Sequence, residues 1–224
     1  NEVLRLTGTN ADLSTNLARQ VFAKAPGITV WESDGSGIQS SIAARGLSPN
    51  RSWEFNVRQN GYDISADMFG YPEAYYAPPL EAVDRIEVVR GAASLQYGPQ
   101  FGGLIDYRLK RGAVGTPMEM ELRQTAGSYG LINSYGSVKG GGKRMGYFVF
   151  AQRRSADGWR ANSRYGTTAA GVVVNMAASR NLELGLEYTR SGYVSQQAGG
   201  LTDHDFNRDA SMSHRARNWF SAPW

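Results

Sequence analysis

The spacing of hydrophobic and polar positions changes character near Lys110. In the first half, Leu13, Leu17 and Val21 recur at i, i+4 and i+8, and Ala18 and Phe22 widen the stripe. That period predicts an amphipathic helix over residues 12–24, stopped by Pro26 and Gly27. Residues 28–31 follow as a strand, residues 35–37 as a turn, and residues 38–45 as a second extended run. Pro79 is suited to the first turn of another short helix, which runs through Leu80 and Val83 into an apolar strand at residues 86–89. Mixed helix and strand patterns of this kind predict a small α+β domain.

Beyond Lys110 the period is two. Met118, Met120 and Leu122 alternate with Glu119, Glu121 and Arg123, and Leu182, Leu184, Leu186 and Tyr188 alternate with Glu183, Gly185, Glu187 and Thr189. One apolar and one charged face fit a sheet between two different solvents. Residues 132–139, 147–153 and 169–177 are also strand-like, and 217–220 begin a sixth run. The links at 140–145 and 179–181 are short, whereas those at 154–166 and 192–216 are long. This alternation matches an outer-membrane barrel with tight turns at one end and long loops at the other; the short link at 127–130 departs from it. On periodicity alone, a soluble β-sandwich or lipocalin-like barrel fits equally well.

Composition narrows the classes. With 27 glycines and 12 tyrosines among 224 residues, the chain suits a turn-rich β protein. It has no cysteine, which excludes disulfides and thiolate metal sites. The net charge of +4 comes from scattered arginines, not one basic stripe, so no nucleic-acid partner is expected. No apolar run approaches the ~20 residues of a membrane-spanning helix, a limit that does not apply to barrel strands.

Four segments carry a resemblance. Ala-Pro-Gly-Ile-Thr-Val at 25–30, Ala-Arg-Gly-Leu-Ser-Pro at 44–49, Asp-Arg-Ile-Glu-Val-Val-Arg-Gly at 84–91 and Gln-Tyr-Gly-Pro-Gln-Phe-Gly-Gly at 96–103 resemble, in order and spacing, the plug of TonB-dependent outer-membrane transporters. Gly-Ser-Tyr-Gly at 127–130, Ser-Ala-Asp-Gly-Trp-Arg at 155–160 and Gly-Gly-Leu-Thr at 199–202 resemble the start of that family's barrel. Residues 45–52 and 98–103 are most similar to the ferric-dicitrate branch. Where the family has an Asp-Gly turn, this chain has Asn60-Gly61, an equally good tight turn.

The resemblance implies an α+β plug domain at 1–110. Residues 111–224 would follow as the first five to six antiparallel transmembrane β-barrel strands, of about 22 in the complete barrel. It also implies energised uptake of a ferric chelate, with ferric dicitrate the nearest cargo, in the outer membrane of a Gram-negative bacterium. The segment that the TonB complex grips lies upstream of Asn1. A receptor for another siderophore, a vitamin or a sugar, a mainly signalling receptor, and a soluble β-rich binding module are the alternatives. Outer-membrane lipid is an expected partner; no cofactor is expected.

Arg45 and Arg90 occupy places where the family's arginines pair with barrel glutamates and lock the plug in the lumen. Apical loops at 33–37, 48–52 and 66–75 offer Ser36, Arg51, Tyr71 and Tyr75 for an anionic chelate: a guanidinium for carboxylates and hydroxyls for hydrogen bonds. Ordinary turn chemistry explains the same loops. Gly98, Gly102 and Gly103 lack the Gly-Lys-Ser/Thr of a phosphate loop and suit a tight chain reversal against the barrel wall. Asp203, His204 and Asp205 form a solvated loop, not a metal site. No nucleophile, base and orienter stand at recognisable spacing, so the chain is not expected to be an enzyme.

Overall fold

The computed structural model of the chain describes residues 2–6, 11–23, 25–32, 35–65, 73–89, 97, 101–214 and 218–223. The chain divides into two compact units, Asn1–Leu109 and Lys110–Trp224.

The first unit holds a five-stranded sheet in the order β1-β6-β7-β4-β5: β1 (Glu2–Arg5), β4 (Phe55–Gln59), β5 (Tyr62–Asp63), β6 (Val83–Val89) and β7 (Gly103–Leu109). Its β4 and β7 run parallel, and the other pairs are antiparallel. A separate hairpin joins β2 (Ile28–Trp31) and β3 (Ser41–Ala44). One face of the large sheet forms the core: Phe55, Val57, Ile86, Val88, Ile105 and Tyr107 are buried there, and Phe22 and Ile42 are buried as well. Asn60 (φ 50°) and Gly61 (φ 89°) make the tight turn of the β4–β5 hairpin.

Both predicted helices shrink. The first, α1, spans Ala18–Phe22 only. The polar run before it prefers local bonds: Asp12 Oδ1 accepts from the backbone and hydroxyl of Ser14, and Asn16 sits in the left-handed region at φ 57°. Such side chains offer the backbone an alternative to helix. As a result Leu17 is buried, whereas Val21, on the same predicted stripe, is only half-buried. The second predicted helix is a 3₁₀ turn, Leu80–Ala82, and Pro79 precedes it in an extended conformation.

The second unit is one antiparallel sheet in strict sequence order: β8 (Glu119–Gly127), β9 (Leu131–Gly141), β10 (Met145–Ala156), β11 (Tyr165–Ser179), β12 (Leu182–Gln196) and β13 (Asn218–Pro223). The expected alternation holds across strands. One row aligns Met120, Val138, Val149, Val172 and Tyr188; the next row on the same face aligns Leu122, Gly136, Ala151, Ala170 and Arg190. On the other face, Asn133 aligns with Arg154, Thr167 and Tyr193. Burial is inverted relative to a soluble sheet. Leu122 is 77% and Leu186 65% exposed, while Asn133 is 0% and Arg154 2% exposed.

The links at 128–130 and 157–164 and residues 197–214 lie at one end of this sheet, and the links at 142–144 and 180–181 at the other. The longest link contains a short helix, α2 (Asp203–Arg208), which the sequence reading treats as plain loop.

Candidate functional site

The segments that carry Ser36 and Arg51 are held by a buried hydrogen-bond lattice. Arg51 is the middle residue of a 3₁₀ turn, Asn50–Ser52. Ser52 anchors that turn. Its buried hydroxyl donates to the Ser40 carbonyl and accepts from the Ile42 N–H at 3.0 Å. The turn is thereby knitted to the segment carrying Ser36. The Arg51 side chain, Tyr71 and Arg90 lie outside the described residues. Ser36 is buried, and its Oγ accepts from the Ile38 N–H at 3.3 Å, a turn-closing bond. Tyr75 is half-buried and donates to Glu73 at 3.2 Å. Arg45 adopts φ 58° in an exposed turn, with no ion pair among the described residues.

Several residues the sequence did not single out hold these loops in place. Asn16, itself buried, donates through Nδ2 to the Gly37 carbonyl at 2.8 Å and accepts at Oδ1 from the Leu80 N–H at 2.8 Å. Gly37 lies so close that a Cβ there would stand 2.4 Å from the Thr15 carbonyl oxygen. Tyr107 bonds Ser40 at 2.7 Å through its hydroxyl. Burial pushes the Tyr107 phenol up to about 12. The reversal expected at Gly102 is a close approach to Glu54 and Phe55 within the same unit: its N–H donates to the Glu54 carbonyl at 2.7 Å.

The face of the large sheet opposite its core is charged. Arg85 stands opposite Arg108, and Glu87 opposite Asp106. These like-charged pairs are relieved by opposite charges across and along the strands. Arg108 Nε contacts Glu87 at 3.1 Å, its Nη2 contacts Asp106 at 2.9 Å, and Arg85 Nε contacts Glu87 at 2.9 Å. Burial holds the Asp106 carboxyl above the usual range, although the Gly61 N–H and Arg108 draw it the other way. Arg58 clamps the Asn60–Gly61 turn. It donates to Asn56 Oδ1 at 2.6 Å and to the Gly61 and Tyr97 carbonyls, and lies over the Tyr97 ring.

In the second unit the two long links are laced together. Arg160 donates to the Gly199 carbonyl at 2.8 Å and to the Met212 carbonyl at 2.9 Å, so the 155–160 and 199–202 motifs meet in space. Thr202 caps α2: its Oγ1 accepts from the Asp205 N–H at 3.2 Å and donates to Asp205 Oδ2 at 2.6 Å. The Thr-x-x-Asp spacing is the signal by which this helix start could be found in the sequence. The Thr202 hydroxyl, then His214, holds Asp205 below the usual carboxylate range. Among the described residues no cluster of three metal-ligating side chains occurs.

Residues 10–104 match the family described as TonB-dependent Receptor Plug Domain. The first unit carries a TonB-dependent receptor plug. This is a family of receptor domains, not of enzymes. Across both units the fold is that of a plug followed by antiparallel barrel strands. Unliganded ferric citrate transporter FecA is similar over 96% of this chain and 34% of its own, at 22% identity and a TM-score of 0.81. The copper transporter OprC is similar over 88% and 31%, at 16% identity and 0.71. The pyoverdine outer membrane receptor FpvA from Pseudomonas aeruginosa PAO1, bound to pyoverdine, is similar over 86% and 27%, at 20% identity and 0.64. The chain spans about a third or less of the length of these structures. At such identities the likeness shows the fold alone.

Proposed function

We propose that this chain belongs to a Gram-negative outer-membrane receptor that imports a ferric chelate with energy delivered by TonB. Residues 1–110 are its plug domain and 111–224 the first strands of its barrel. The single observation that carries this reading is the plug of residues 10–104 followed by a sheet whose apolar face is exposed and whose polar face is buried. That inversion suits strands between lipid and a polar lumen, and it argues against the soluble binding module. TonB is the receptor's energy-delivering partner. Arg45 and Arg90 pair with glutamates of later barrel strands and hold the plug.

Ferric dicitrate is the proposed cargo, met by Arg51 on its anchored turn, by Tyr71 and Tyr75, and by Ser36 once its turn opens. Import requires that bound ligand favour the plug state on which TonB pulls.

The test is titration of the complete receptor with ferric dicitrate and with a neutral ferric siderophore. A charged hydrogen bond to an anion contributes roughly 1.5–3 kcal/mol, so Arg51→Ala should weaken citrate binding about ten- to a hundredfold. Arg51→Lys should restore part of it, because lysine lacks the planar fork. Arg180→Ala, in the exposed two-residue link between β11 and β12, is the control. Unchanged citrate affinity removes Arg51 from the site. Preference for the neutral siderophore sinks the citrate assignment and leaves the receptor assignment standing.

A further inference from the structure

Charge is segregated across the second unit's sheet. The four carboxylates on its described strands, Glu119, Glu121, Glu183 and Glu187, share one face. Glu119, Lys139, Phe148, Val173 and Glu187 form one row, Glu121 aligns with Ser137 and Phe150, and Glu183 with Ala177. Two cations on that polar face have acidic partners: Lys139 reaches Glu119 at 3.1 Å, and Arg123 pairs with Glu121. The apolar face differs. It carries Arg153 and Arg190, both exposed, and neither makes an ion pair among the described residues.

The register places these two arginines together. Arg153 aligns with Ser134 on β9 and Thr168 on β11, and Gln124 of β8 completes that row. Arg190 aligns with Ala170, one row along β11 from Thr168. Two strand spacings and one row put their backbones about 12 Å apart, within reach of a single group for two extended guanidinium side chains. Ser134, whose hydroxyl donates to Gln124 at 2.7 Å, and Thr168 add polar groups beside them. Just along the strands lie the exposed apolar positions Met120, Leu122, Val149 and Tyr188.

An arginine on a hydrocarbon-facing surface is unfavourable unless it reaches the interface or finds a counter-charge. This face of the sheet supplies no carboxylate. We propose that Arg153 and Arg190 form a binding site for the phosphate of an anionic membrane-lipid headgroup, whose acyl chains lie along the neighbouring apolar rows. Guanidinium groups match phosphate oxygens bidentately. The proposal rests on the reading of this sheet as membrane-spanning.

The experiment uses the complete receptor in detergent and native mass spectrometry to count bound lipid. The probes are dioleoyl phosphatidic acid, dioleoyl phosphatidylcholine and inorganic phosphate. The native receptor should retain phosphatidic acid with on the order of tenfold preference over phosphatidylcholine, the size expected for a charge-assisted contact. Arg153→Ala with Arg190→Ala should abolish the preference, and the double lysine variant should keep part of it. An unchanged preference in the alanine variant overturns the proposal, and so does complete displacement of the lipid by an equal concentration of inorganic phosphate. The lysine pair retains the charge and decides the matter if the alanine pair fails to fold: a full, unreduced preference there argues against guanidinium recognition. A nitroxide at Val149, which is on the same face, separates the two readings. Access to a water-soluble relaxation agent in place of a lipid-soluble one sinks the membrane assignment itself; lipid access without headgroup preference sinks only the site.

Discussion

Asn16→Ala in the complete receptor should destabilise the plug by about 4 kcal/mol, because three effects add. The substitution strands the Leu80 N–H, now satisfied by Asn16 Oδ1, and the Gly37 carbonyl, now satisfied by Nδ2. Both bonds are buried, and a buried group left unpaired costs roughly 1–3 kcal/mol. Alanine must also occupy φ 57°, a region asparagine tolerates better. Asn16→Gly separates the contributions. Glycine removes the backbone strain but leaves both groups unpaired, so it should be less damaging than alanine by roughly 1–2 kcal/mol. Hydrogen exchange across residues 11–23, 35–44 and 80–89 of the complete receptor is the measurement. The three segments should lose protection together, since the one side chain joins them. Protection lost only at 11–23 would show that Asn16 is a local turn residue and not a tie between loops.

The same side chain marks where sequence reasoning stops. Strand β2 falls at the residues expected, and β8 to β12 overlap the expected runs, because a period-two alternation is a local signal. The turn at Asn60–Gly61 is legible for the same reason: two adjacent residues suffice to specify it. Helix α1 is overextended in the sequence reading because Leu13 and Leu17 keep helical spacing while Asp12, Ser14 and Asn16 make other bonds. Spacing counts hydrophobic positions and is blind to that competition. The ties that position the candidate site are long-range: Asn16 to Leu80, Ser40 to Tyr107, Asp106 to Gly61. No periodicity contains them. The resemblance supplied Ser36, Arg51, Tyr71 and Tyr75 as ligand candidates. The residues that fix their loops, Ser52 and Asn16, had no such pointer. The inverted burial of the second unit lies between these cases. Alternation foretells two unlike faces and puts Arg190 on the face of Leu186 and Tyr188, but only the cross-strand register brings Arg153 close to it.

Tyr107 should give the plug a distinct alkaline limit. It is 1% exposed and bonded to Ser40 at 2.7 Å, and its phenol is raised from 10.0 to about 12 because burial disfavours the phenolate, with the Ser40 bond a smaller opposing influence. In the unfolded chain the phenol ionises near its ordinary value, so above that pH the unfolded state releases a proton that the folded state keeps. The contribution of Tyr107 is therefore fully present below pH 10 and is lost as pH rises through about 12. Two pH units of difference correspond to about 3 kcal/mol, enough to matter for a domain of this size. The 295 nm titration of the complete receptor, minus that of Tyr107→Phe, should isolate one tyrosine with a midpoint near 12, ionising as the plug opens. In the phenylalanine variant this alkaline loss should disappear, although Ser40 loses its partner. A difference titration centred near 10 would mean that water reaches the Tyr107 hydroxyl in the folded receptor. The buried Ser40–Tyr107 tie, and with it the anchoring of the segment that holds Ser52 and the Arg51 turn, would then be wrong.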